Sequence, residues 1–314
     1  MHRLETEYQQ LHAAGVLDEA ATLRAVALDR GRIFSLHSPL RLALYASVAA
    51  ITTGVGLLIK NNLDRIGPVT LMAGLLLIAL LCYASAERIR RRSEPRSIGG
   101  DYVLLLGALI LSADLGYAES YFHWLGERWS WHLLMLAVLH AATAYYFNSR
   151  LVLSTSLAAL AGWFGVQPNF NDLFAYDATL RRSGINALLC AGVIMVWREI
   201  HLRTLRAQPF VEVLEHFAAN LAFWGTLALS FDNITRWAGI LMVIALAGIS
   251  IIMGLNKRKE AFVVYGICYG ALGLCVFEAN VVREELAVLL LALITIITAA
   301  SLLWRFHAQL KATP

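Results

Sequence analysis

The chain has 314 residues, of which 59% are hydrophobic and 15% charged, with a formal net charge of +4. Its mean hydropathy is +0.62. A water-soluble domain carries about a quarter charged residues, so this composition excludes a soluble enzyme and indicates a chain dissolved in a bilayer.

The first 38 residues are the only sizeable polar segment. Leu4, Tyr8 and Leu11 recur at helical spacing, Gly15 breaks the run, and Asp18 can cap a second helix carrying Leu23, Val26 and Leu28. A helical hairpin over 1–38, lying against the cytoplasmic leaflet or the bundle, is expected. MHRLETEYQQ has acids and glutamines where a signal peptide needs an apolar core, so the first span is expected to act as its own insertion signal.

Residues 39–314 read as a transmembrane bundle. At about 20 apolar residues per span, the candidates are Leu40–Ile59, Val69–Ala84, Tyr102–Ala118, Trp131–Phe147 and Leu151–Val166. Ile185–Trp197, Phe217–Phe231, Trp237–Leu255, Ala261–Phe277 and Leu286–Trp304 follow. The expected fold is therefore all-α, with about ten spans; eight or nine remain open because the third, fifth and sixth are short or interrupted. On alternate sides of this layout lie 19 and 7 basic residues. The excess, including an Arg-rich loop from Arg88 to Arg96, marks the cytoplasmic side and places both termini inside. Arg198–Phe217 reads as an amphipathic interfacial piece divided by Pro209.

The N-terminal Gly15, Val16, Leu17 and Asp18, followed by GVGLLIKNNLD with Asn62 and Asp64 at the end of the first span, resemble the bacterial membrane-protein family known as domain of unknown function 2157. Leu63 stands where that family has Trp. The resemblance implies an inner-membrane helical bundle and no particular activity.

NNLDR, Asn61 to Arg65, recurs as DNITR, Asp232 to Arg236, and GAL recurs at Gly107 and Gly270. An even number of intervening spans would make this a parallel internal repeat. The first copy is explained as a turn, with Asn tolerating left-handed geometry before Gly67 and Pro68. The functional alternative is an outer polar cup of Asn62, Asp64, Asp232 and Asn233, whose oxygens suit a cation or a polyol.

Asp114, Glu119, His140 and Glu278 are ionisable groups in or near apolar runs, where charge is costly and marks candidate function. His140 has no evident ligand partner at its depth, so no metal or haem is expected. Trp124, Glu127, Arg128 and Trp129 form a candidate outer aromatic platform for a sugar or lipid headgroup; interfacial anchoring explains the aromatics equally. The four cysteines all fall in spans and make no paired motif. No P-loop, HExxH or G-x-S-x-G is present, so a non-enzyme without cofactor is expected. Nothing suggests nucleic acid as a partner. Two function classes remain: a transporter- or channel-like protein binding a small polar or cationic solute from the outer face, or a non-catalytic scaffold of an envelope complex.

Overall fold

The computed structural model describes residues 12–13, 15, 18–19, 21–23, 37–62, 67–92, 98–128, 130–166, 178–204 and 209–312, and no strand occurs among them. Ten long helices follow residue 36 among the described residues, matching the ten apolar runs one for one. The chain divides into two compact units, Met1–Asp114 and Leu115–Pro314.

In the first unit, the described part of the N-terminal segment shows the expected punctuation. Gly15 adopts a φ of +71°, open to glycine and strained for other residues. The Asp18 carboxylate accepts from the Ala21 N–H at 2.5 Å, and the Thr22 N–H and hydroxyl donate to the Asp18 carbonyl at 3.0 and 2.9 Å. The rest of the hairpin expectation lies outside the described residues.

Helix α1, His37–Asn62, is followed by α2, Pro68–Arg92, and α3, Ile98–Phe122. Leu75 and Ala79 of α2 pack on Ile110 of α3, with Leu71, Leu106 and Leu111 around them. Tyr45 of α1 meets Tyr102 edge to face with ring centres 4.9 Å apart. The Arg-rich stretch is only partly a loop: Arg88–Arg92 form the last turns of α2. Glu87 pairs with Arg90 and Arg91, each at 2.7 Å, and cations are favoured at a helix C-terminus, so the helix outlasts its apolar run.

The second unit begins with the end of α3 and continues through α4, Trp131–Phe147, and α5, Arg150–Trp163. These two form a hairpin turned by Asn148 at φ 53° and tied by the Ser156 hydroxyl donating to the Ala137 carbonyl at 2.6 Å. Next come α6, Ala178–Thr204; α7, Pro209–Phe231; α8, Arg236–Asn256; α9, Glu260–Val281; and α10, Glu285–Ala312. The strongest packing is between consecutive helices, α6 on α7 and α8 on α9. Gly184 and Gly225 make the first of these close: a Cβ on either would lie 2.8–2.9 Å from the other's carbonyl oxygen. In the GICYG stretch, a Cβ on Gly266 would lie 2.7 Å from the Ala247 carbonyl, so this small residue joins helices within the chain.

The Arg198–Phe217 piece is divided between two long helices and is not a separate element. Arg198–Thr204 completes α6, and Pro209 opens α7, a position where proline's missing N–H costs nothing. What looked amphipathic is two adjoining helix ends that carry charges to pair with each other.

Among the described residues, α2, α3, α6, α8, α9 and α10 contain segments long and apolar enough to cross a membrane. The 14 residues of α5 cover roughly 21 Å at ~1.5 Å each, against an apolar layer of about 30 Å. Helix α7 starts with Glu212, Glu215 and His216, which dilute its hydropathy. No residue from 285 to 306 is buried, although that stretch is highly apolar. Such a helix suits a lipid surround. The chain is a membrane protein with several apolar helices.

Candidate functional site

Helix α3 runs to Phe122, so Asp114 sits eight residues, roughly 12 Å, from its end. Its side chain is buried, and Oδ1 meets no hydrogen-bond partner among the described residues. Glu119, one and a half turns on, is also buried. Its Oε1 accepts from the Leu125 N–H at 3.2 Å, tying down the loop after α3, while Oε2 has no partner among the described residues. Burying a carboxyl oxygen without a donor costs several kcal/mol, roughly.

Glu278 lies on α9, three residues before its end. The Thr295 hydroxyl of α10 donates to its Oε1 at 2.7 Å, and Oε2 is buried without a partner among the described residues. His140 is buried at the centre of α4. Among the described residues, no three His, Cys, Asp or Glu side chains group as a metal site would require.

Of the outer polar cup, Asn62 is the last residue of α1, and Asp64 lies outside the described residues. Asp232 and Asn233 form the turn between α7 and α8. The buried Asp232 carboxylate accepts from the Ile234 N–H at 3.0 Å, the Thr235 N–H at 2.9 Å and the Thr235 hydroxyl at 3.0 Å. Arg181 of α6 stands 3.9 Å away. Burial opposes ionisation, but the Thr235 and Ile234 donors and the Arg181 charge outweigh it and hold the carboxyl below its ordinary value. Asn233 is exposed and accepts from Arg236. Arg236 also lines a cavity of ≈ 340 Å³ with Ser230 and Asn280. All three donors and Arg181 meet Oδ2, and that oxygen shapes the turn.

The platform is described in part. Trp124 is exposed and continues a chain of rings, Tyr121 to Phe122 at 5.0 Å and Phe122 to Trp124 at 6.4 Å. Glu127 belongs to the 3-10 turn Gly126–Arg128, and Arg128 is exposed. Trp129 lies outside the described residues.

Sequence reading missed two groups. The first is an ion cluster at the start of α7: Glu215 accepts from Arg198 of α6 at 2.5 Å and from Lys259 at the start of α9. Burial works against the charge on Glu215, and the hydrogen bonds from Lys259 and Arg198 overcome it, leaving the carboxyl below its ordinary value. The second is Tyr145 of α4, whose hydroxyl oxygen accepts from the Trp197 indole N–H at 3.0 Å and bonds His201 Nδ1 at 3.0 Å. Their spacing of 17 to 56 residues left no local signal for either. Nearby, His216 stacks on Phe262 at 5.2 Å, Tyr269 donates to Asn220 Oδ1 at 3.2 Å, and Phe223 stacks on Tyr269 at 4.6 Å. This ladder locks α7 to α9.

No curated protein and no solved structure matches the chain. Residues 9–153 match the family described as a predicted membrane protein, DUF2157, the family that the N-terminal motifs resemble; Asp114, Glu119 and His140 fall within the match, and Glu215, Asp232 and Glu278 beyond it.

Proposed function

We propose that this is a multi-pass protein of the bacterial inner membrane, with eight to ten spans and both termini cytoplasmic, that binds a small cation or polar solute from the outer side without catalysing a reaction. The observation that carries this reading is Asp114: a buried carboxyl about 12 Å inside an apolar helix, with one oxygen unsatisfied. Such a group is costly unless a proton, a cation or a donor-bearing solute completes it. Glu119 of the same helix offers a further unsatisfied oxygen.

The basic residues support the orientation. A parallel repeat gains support from matching internal packing. Gly107 of α3 approaches Ala79 of α2, and Gly270 of α9 approaches Ala247 of α8. Each alanine stands eleven residues beyond the first of its helix.

The test is the melting temperature of the purified protein across alkali cations, divalent cations and polyols, with Asp114→Asn beside the parent. A ligand at a hundredfold excess over its Kd should stabilise the parent by about 2.7 kcal/mol. The variant should melt no lower than the parent and lose the shift. If no compound shifts the parent, the solute-binding reading fails. A scaffold role then gains ground, supported by the exposed Tyr121–Phe122–Trp124 rings; it requires deletion of Leu4–Leu28 or substitution of those rings to abolish crosslinking to envelope proteins.

A further inference from the structure

Helices α8, α9 and α10 line an open groove of ≈ 350 Å³ whose walls are almost wholly apolar. Ile267, Gly270 and Leu274 line it from α9 at three- and four-residue spacing, and Gly248 of α8 and Thr295 and Thr298 of α10 face them. Residues so spaced share one helix face. Glu278 takes the next place on that stripe, one turn beyond Leu274, and its carboxyl is bonded to Thr295, itself a wall residue. The carboxyl group thus lies one turn beyond the lined part of the groove, held to its wall by Thr295. The other carboxyl oxygen is buried and has no donor.

We propose that this groove binds a single-chain amphiphile with a protonated amine head, the chain lying between α8 and α10 and the ammonium pairing with Glu278. Three observations define the occupant. Apolar walls within membrane-crossing helices suit an alkyl chain. The unsatisfied carboxyl oxygen calls for a donor, and a cationic one neutralises it, whereas a phosphate or carboxylate head would be repelled. The volume lies near the lower end of the roughly 300–1,000 Å³ of small-molecule pockets, which fits one chain and not the two of a phospholipid. Glu278 also stands only three residues from the end of α9, about 4.5 Å along the axis, so the charged head can stay near the polar edge of the bilayer while its tail runs inward. This site shares no helix with Asp114 and stands or falls apart from it.

The test uses the full chain in phosphatidylcholine nanodiscs and a diazirine-bearing dodecylamine, with the matching dodecanol as neutral control. Saturable photolabelling should map to α8–α10, with the amine half-saturating at a concentration at least tenfold below the alcohol. Glu278→Gln keeps an acceptor for Thr295 and should erase that difference. Gly248→Leu should abolish saturable labelling by both probes without loss of melting temperature, because a Cβ at Gly248 meets nothing within 4 Å. Labelling that does not saturate, equal affinity for amine and alcohol, an unaffected Glu278→Gln variant, or an unaffected Gly248→Leu variant would each overturn the proposal. Competition by phosphatidylethanolamine added to the nanodisc would overturn the single-chain assignment in favour of a lipid headgroup.

Discussion

Arg198 and Glu215 meet at 2.5 Å across the α6–α7 boundary, and Lys259 closes on the same carboxylate from α9. Three helices are thus pinned by one acid. Glu215→Gln leaves two cations facing a neutral amide. It should lower stability by about 2 kcal/mol, between the values for exposed and for fully buried pairs, as read by thermal melting in detergent.

The same carboxyl sets a pH dependence. Its folded pKa lies below its ordinary value, so its contribution is complete above the unfolded pKa of about 4.3 and is lost as pH falls through the lower folded value. Asp232 acts in the same direction. The gap in melting temperature between parent and Glu215→Gln should hold from pH 7 to about pH 5 and narrow below about pH 4. A gap that widens on acidification would contradict the pairing.

Asp232 is expected to behave as a turn residue. Asp232→Ala removes the acceptor of three hydrogen bonds and should cost about 1–2 kcal/mol, as loss of a helix cap does. Asp232→Asn, which retains an acceptor, should cost less. Solute-induced melting shifts, where found, should survive the Asn variant; their loss would return Asp232 to the binding site.

Two glycines of α8 should respond oppositely to alanine. A Cβ on Gly239 would overlap the backbone of Leu229 and Ser230, which no rotamer change can clear, whereas one on Gly248 meets open space. Gly239→Ala should destabilise by about 3 kcal/mol or prevent folding, and Gly248→Ala should stay within about 0.5 kcal/mol of the parent. Parallel melts of the two variants decide this.

Tyr145→Phe deletes the hydroxyl shared by Trp197 and His201. Leaving those ring nitrogens without it should cost about 1–3 kcal/mol. Trp197→Phe in the same background should then cost less than it does alone, which a double-mutant cycle measures.

Hydrophobic runs determined the number and order of the helices, because an apolar segment in a bilayer must satisfy its backbone internally. Trp131–Phe147 was legible to the residue, and Asp18 was legible as a cap, because both depend on neighbours close in the chain. Helix ends rich in charge were not: Arg88–Arg92 read as loop and Arg198–Thr204 as part of a separate amphipathic helix, yet each completes the helix before it, where its ions find partners.

The candidate site divides along the same line. Sequence identified Asp114, Glu119 and Glu278 as misplaced ionisable groups, since composition alone shows a charge in an apolar run. Whether each is satisfied depends on partners from elsewhere in the chain, and only the tertiary structure decided that. It gave Asp232 its turn donors and Glu215 two cations, and it left Asp114, Glu119 and Glu278 each with a bare oxygen. The groove beside Glu278 was likewise invisible beforehand, because it is made by the spacing of three helices and by no residue within any one of them.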